Sequence, residues 1–272
     1  MLAAPRRAAS SSNLVLGLQL YSLREQLAKD VAQGLAQAHA LGFVDVEVFR
    51  FYGNSASVFA QKLQKAKLRC RSLMVEFAAL SDPSKVIADA QALGATYVTC
   101  PWIPHEKVFS AKDCAMAAER FTAAGRAMQA QGVSFTYHIH GYEFEPSREG
   151  TLMDTLLRST PAEFVNYEMD IFWVTRGSGN VVDLLERYPG RFPLVHLKDI
   201  AKGTAICAPK GDAPDDTSVP LGSGMIDIPG FLAAAQKAGS KMFFIEDEHP
   251  NATKQISVSL RYLKTLGLRP SR

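Results

Sequence analysis

Cysteine is scarce in this chain and scattered. Four occur in 272 residues, Cys70, Cys100, Cys114 and Cys207, with no CxxC pair and no zinc-ribbon spacing. That excludes a disulfide scaffold and a thiolate zinc module, and leaves free thiols in or near a core. No apolar run approaches the ~20 residues that span a bilayer, so no membrane partner is expected. An excess of one charge is missing too. Thirty Lys and Arg stand against 27 Asp and Glu, a net +3 with no basic run, which gives no footing to a nucleic-acid partner. There is no GxGxxG, no GxxxxGKS and no GxSxG elbow. Gly222 and Gly224 therefore read as a tight turn, not a phosphate cradle.

What is present is an ordinary globular composition, 47% hydrophobic and 21% charged, long enough to bury a core unaided. Met1 to Asn13, rich in Ala, Ser and Arg, reads as a disordered leader or the remnant of a trimmed export signal. A cytoplasmic location is the default, and a periplasmic one follows if such a signal was removed. From Leu14 onward, short β-rich runs alternate with runs of helical period. Strands are expected at Val15 to Tyr21, Phe43 to Phe49, Leu68 to Glu76, Ala95 to Cys100, Val133 to His140, Glu163 to Asp170, Arg191 to Leu197 and Met242 to Glu246. Between them fall amphipathic stripes such as Phe59, Leu63 and Ala66, or Ala117, Phe121, Ala124 and Met128. Asp30 and the Asp82-Pro83 pair have the chemistry of helix starts. Eight strand-then-helix units without a low-complexity linker predict one (β/α)8 TIM barrel over residues 14–272. Lys198 to Gly224 is too long for an ordinary βα connection. With Asp212, Asp215 and Asp216 it reads as a lid over the site.

In a parallel barrel the chemistry sits at the C-terminal ends of the strands. Read off those ends, the sequence offers Glu47, Glu76, His138 with His140, Asp170, His196 with Lys198 and Asp199, and Glu246 to Glu248. Ionisable groups closing apolar strands are costly unless they face one another or a cation. His138, Asp170, His196 and Glu246 form a mixed N/O set on four consecutive strands, suited to one Mn²⁺, Zn²⁺, Co²⁺ or Mg²⁺ ion. His138 and His140 alternate, so both lie on one strand face, with His140 ~7 Å farther along. Glu47 and Glu76 either line the pocket or bond across the barrel mouth. Lys198 and Asp199 would be a surface ion pair or a functional lysine beside the site. Trp173 would be a pocket wall.

Five stretches taken in order, LGLQLYSLR (16–24), TYHIHGYEF (136–144), EMDIFWVTR (168–176), VHLKD (195–199) and VPLGSGMID (219–227), resemble one family. It is the sugar phosphate isomerase/epimerase group of xylose-isomerase-like barrels, and the resemblance runs from about Leu14 to Leu266. It implies one divalent metal held at the ends of strands five to eight by Asp170, His196 and Glu246. The strand-five ligand in many relatives is a glutamate, whose place His138 takes here. His140 would be the substrate or acid/base histidine, and Trp173 stands where related ketose epimerases carry a histidine.

The function that follows is proton abstraction next to the carbonyl of a sugar or keto-sugar, giving an isomerase or epimerase. Glu246 and His140 would be acid/base groups and Lys198 an oxyanion or leaving-group partner. A lyase, either a dehydratase or a keto-glycoside eliminase, shares the enolising step. An endonuclease-like hydrolase with several metals and a non-catalytic sugar-binding barrel are the readings of another class. The partner is a small sugar; a homo-oligomer is compatible with the sequence.

Overall fold

The computed structural model describes residues 14–206 and 213–271. The leader expected at 1–13, Cys207 and the tip of the expected lid, including Asp212, lie outside the described residues. Eight parallel strands close into a barrel in simple sequential order: β1 (Val15–Gln19), β2 (Asp45–Val48), β3 (Arg69–Met74), β4 (Tyr97–Cys100), β5 (Ser134–His138), β6 (Val165–Asp170), β7 (Leu194–Leu197) and β8 (Met242–Ile245). Strand β8 returns to β1 with Leu18 opposite Ile245. The outer ring contains α1 (Val31–Ala40), α2 (Ala56–Lys65), α3 (Pro83–Leu93), α4 (Ala111–Gln129), α5 (Leu152–Ser159), α6 (Val181–Arg187), α7 (Ile228–Ala238) and α8 (Ala252–Thr265). Among the described residues no helix is long and apolar enough to cross a membrane.

Local chemistry explains where the helices begin. Asp30 Oδ1 accepts the Gln33 N–H at 3.0 Å, and Asp82 caps Ser84 with Pro83 in the first turn. Helix α4 opens with a capping box between Ser110 and Asp113. The sequence pattern did not anticipate two short helices, Arg24–Lys29 and Ile171–Arg176. The second begins where Asp170 Oδ1 accepts the N–H groups of Phe172 and Trp173, at 2.8 and 3.0 Å.

Period-two alternation divides each strand into an outward and an inward set. Leu16, Leu18, Val46, Val48, Val98, Tyr137, Tyr167, Val195, Leu197, Phe243 and Ile245 join the large core shared with the helices. The alternate residues face the barrel axis in layers. Tyr97, Leu194 and Phe244 form a separate cluster that plugs the bottom. Gly17 leaves room for that plug, since a Cβ there would stand 2.8 Å from the Phe244 ring and 2.7 Å from the Asp45 carbonyl. Above it the interior turns polar. Ser72, Thr99 and Thr136 are linked through hydroxyls at 2.9 and 2.5 Å. Gln19, Glu47, Glu168 and His196 complete that polar interior, all fully buried.

The loop after β7 is fixed at its base by Asp199. Its carboxylate accepts four backbone N–H groups, from Ile200 and Ile226 on Oδ1 and from Gly222 and Gly224 on Oδ2, at 2.9 to 3.1 Å. The expected surface pair with Lys198 is therefore corrected: both residues are buried, and successive strand residues point to opposite sides. Gly224 is needed at this latch, because a Cβ would lie 2.2 Å from the Ile200 carbonyl oxygen. Residues 199–200 pair with 218–219, and Arg24 reaches Asp215 at 3.5 Å across the mouth. Asp199→Ala should strip an acceptor from four N–H groups and destabilise the fold by about 1–3 kcal/mol in denaturant melts. Amide exchange should accelerate selectively over 218–226, and unchanged exchange there would show that the loop is held by other contacts.

Candidate metal centre

The top of the barrel on the β5–β8 side collects the ionisable strand ends. His138 closes β5, Asp170 closes β6, His196 and Lys198 alternate on β7 and its exit, and Glu246 follows β8; all are buried. Asp170 has two separate tasks. Oδ1 caps the following helix, and Oδ2 is buried with no hydrogen-bond partner. That unpartnered oxygen lies 3.8 Å from His138 Nε2 and 3.8 Å from His196 Nδ1. Glu246 Oε2 is 3.2 Å from the same His196 nitrogen. Donors bonded to one ion at ~2.0–2.2 Å in a tetrahedral site stand about 3.3–3.5 Å apart, so these separations suit a cation among them.

A second tier of carboxylates supports the imidazoles. His138 Nδ1 is 3.1 Å from Glu168 Oε2, and His196 Nε2 is 2.6 Å from Glu47 Oε2 and 3.3 Å from Glu168 Oε2. Gln19 Nε2 donates to Glu47 at 2.6 Å. Where these carboxylates accept, a neutral histidine would carry its proton on the lower nitrogen and leave the other directed toward Asp170. This is the arrangement that orients histidine ligands at metal centres. Glu47, Glu168 and His196 also form a compact trio of their own. The 2.6 Å contact between Glu47 and His196 is a hydrogen bond, too short for two donors around one ion.

The electrostatics follow from burial. Glu168 is pushed up to about 8 by burial and by Glu47, against the pull of His196. Burial pushes Asp170 up to about 6, with Lys198 and His196 opposing. Burial lowers the His196 imidazole, but Glu168, Glu246 and Glu47 outweigh it and hold the ring well above its ordinary value. Burial raises Glu246 as well, and there Lys198 and His196 prevail and keep it ionised. His138 is held well below the usual histidine range by burial and by the two neighbouring histidines. Four carboxylates thus share one buried lysine, and protons or a further cation must neutralise the rest.

Lys198 Nζ bonds Glu246 Oε2 at 3.3 Å and also Glu248 Oε1, and lies about 5 Å from the ring centres of Phe172 and Trp173. His140 sits above, half-buried, its ring 4.6 Å from that of His138 and 5.6 Å from that of Trp173. Burial, reinforced by Lys198, lowers its pKa to about 3, so the imidazole is neutral across the physiological range. Its backbone N–H is held by buried Glu143 at 3.0 Å.

The structure brings together His138, His140, Asp170, Trp173, His196, Lys198 and Glu246. It does not bring Glu76 to them: that side chain is exposed at the start of a 3-10 turn over Phe77–Ser81 and does not line the mouth. Glu47 is at the site but beneath it, bonded to His196 and absent from the cavity lining. Glu168 is the residue that sequence reasoning missed. Its signal was available, since it stands two residues before Asp170 and strand alternation puts both on one face.

The chain matches the family model described as xylose isomerase-like TIM barrel over residues 35–266. No curated protein matches it. Among solved structures it is similar to a sugar phosphate isomerase/epimerase from Parabacteroides distasonis, with 23% identity, TM-score 0.75 and coverage of 97% of this chain and 98% of that one. It is similar to the probable 3-DHS dehydratase AsbF of Bacillus anthracis at 13% identity and TM-score 0.71, covering 92% and 99%. A third is the IOLI protein with a bound zinc atom, at 15% identity and TM-score 0.70, covering 93% and 98%. These likenesses carry the fold. The family match spans most of the chain and agrees with the closed eight-stranded barrel, so the chain belongs to the xylose isomerase-like TIM barrel family.

Proposed function

We propose that this barrel is a divalent-metal-dependent isomerase or epimerase that moves a proton next to the carbonyl of a sugar or keto-sugar. The observation that carries the reading is Asp170 Oδ2, a buried oxygen without a partner, placed 3.8 Å from a nitrogen of each of two histidines. His138 Nε2, Asp170 Oδ2, His196 Nδ1 and Glu246 Oε2 would hold the ion. Mn²⁺, Zn²⁺, Co²⁺ and Mg²⁺ all accept such a mixed set, and the zinc in the IOLI structure is in keeping with it. An ion bound there would polarise a substrate carbonyl and acidify the neighbouring C–H.

The chain's own residues supply the proton traffic. His140 lines the cavity and its buried Nδ1 has no hydrogen-bond partner, so that ring nitrogen is free to take the proton and hand it back. Lys198, kept protonated by Glu246 and Glu248, presents a fixed positive charge to oxygen as negative charge develops. Glu246 stays ionised and is the second base in the lining. Return of the proton to the adjacent carbon gives an isomer, and return to the opposite face gives an epimer.

An elimination is the second reading, favoured by the one-sidedness of the base set. His140 and Glu246 lie on the β5–β8 side, whereas the facing wall offers Tyr21, Phe49, Met74, Pro101 and Trp102. Epimerisation uses acid/base groups on both faces of the carbon; elimination needs a base and a leaving-group acid. The cavity-lining positions that follow β2–β4, Phe49, Met74 and Pro101, carry no carboxylate or imidazole, which disfavours a multi-metal phosphodiester hydrolase.

Elemental analysis of protein purified without chelator should find about one divalent ion per chain. His138→Gln should lose it, and Glu168→Gln should bind it about 10–100-fold more weakly while folding normally. Full metal affinity in both variants would remove these residues from the site. His140→Gln should keep the metal yet lower kcat by about 10²–10⁴-fold. In D₂O the wild-type protein should place deuterium on the carbon next to the carbonyl of a turned-over keto-sugar. A His140→Gln enzyme with undiminished turnover would sink the proposed proton transfer.

A further inference from the structure

The upper rim of the barrel is chemically divided by strand number. On β5–β8 the inward positions are His138, Asp170, Lys198 and Glu246. On β1–β4 the same register places Tyr21, Phe49, Met74 and Pro101, with Trp102 beside them. Asp170 and Lys198 lie behind the lining; His138 and Glu246, with His140, Trp173 and Glu248, join the β1–β4 set around one cavity of about 320 Å³. That is inside the range of small-molecule sites.

The apolar half is built and backed. Tyr21 and Phe49 meet edge to face at 5.0 Å. The Arg24 guanidinium lies over the Tyr21 ring at 4.6 Å, and the Arg50 guanidinium over Phe49 at 4.8 Å. His105 stacks on Trp102 at 5.1 Å and is itself held by the Ile103 carbonyl at 2.7 Å. Arg24, Arg50 and His105 do not line the cavity, so these contacts leave its lining to the rings themselves. Met74 is steadied by Gln19 Nε2 at 3.3 Å from its sulfur. A wall held this way keeps its shape without a ligand.

Such a wall is a poor partner for sugar hydroxyls. Phe49, Met74 and Pro101 offer no side-chain donor, and a hydroxyl dehydrated against them would go unpaired. We infer that the β1–β4 half is an apolar subsite for an aryl or alkyl substituent of the substrate, whose polyhydroxylated carbonyl end faces His138, His140 and Glu246. The substrate class is thus a glycoside-like or otherwise substituted keto-sugar, not a bare polyol. The inference rests on the proposed function only for where the reacting end lies.

The test is calorimetric titration of the manganese-loaded protein with phenol, methyl β-D-glucoside and phenyl β-D-glucoside, with tryptophan fluorescence as a second readout. Phenol should bind on its own, and the phenyl glucoside should bind at least about ten-fold more tightly than the methyl glucoside. Phe49→Ala and Trp102→Ala should each abolish phenol binding and the phenyl advantage while leaving manganese stoichiometry and the circular dichroism spectrum unchanged. If neither glucoside binds, phenol binding that both variants lose still supports the subsite. Absence of phenol binding together with equal glucoside affinities would overturn it, as would phenol binding indifferent to both substitutions. Phenol binding in a protein that takes up none of Mn²⁺, Zn²⁺, Co²⁺ and Mg²⁺ would leave the subsite standing and refute the metal-dependent reading instead.

Discussion

The site is organised around an excess of buried negative charge. Glu47, Glu168, Asp170 and Glu246 converge within a few ångströms of His196, with Lys198 as the one buried lysine among them. An isolated ion in such surroundings is costly, and carboxylates this close cannot all remain ionised without compensation. The molecule answers in part by raising Asp170 and Glu168 toward neutrality and by holding His196 above its ordinary value. In the function proposed above a cation would supply the rest, beside the unpartnered oxygen of Asp170. Loss of the tier beneath would leave the histidines free to turn, so Glu47 and Glu168 belong to the centre although neither lines its cavity.

The barrel makes this concentration of charge tolerable. Its outward positions are almost entirely apolar and pack against the helices, so stability does not depend on the interior being hydrophobic. Tyr97, Leu194 and Phe244 close the lower end, and the polar residues stand on that floor. Capping and latching then reuse the same residue types for structure. Asp170 starts a helix with one oxygen and offers the other to the site. Asp199, one residue beyond Lys198, faces away and gathers the loop that returns over the mouth. Neighbouring residues on one strand exit therefore separate chemistry from architecture by side-chain direction alone.

Family membership and reaction are different questions in this fold. Neighbours of nearly equal structural similarity carry the names of an isomerase/epimerase and of a dehydratase, so backbone likeness does not select among them. The reaction has to be argued from this chain's own side chains. His138 occupies the end of β5, Trp173 packs against His140, and the β1–β4 rim is aromatic. These features place ionisable groups on one side of the cavity and apolar surface on the other.

The sequence by itself determined the architecture. Alternating β-rich and helical periods, cap residues such as Asp30 and Asp82, and the count of eight units all record local preferences that the barrel satisfies, and the element ends shifted by only a few residues. The ionisable strand ends were equally legible, because charges closing apolar strands stand out along the chain. What only the tertiary structure decided is which of those groups meet. Glu76 and Glu47 looked alike in sequence, yet one is exposed beside a turn and the other bonds a histidine 149 residues away. Glu168 and Asp170 share a face, but barrel closure determines that the first lies under the histidines and the second between them. Distances between residues on different strands depend on register and curvature. Those are set by the packing of the whole barrel and leave no trace in the local pattern of any one segment.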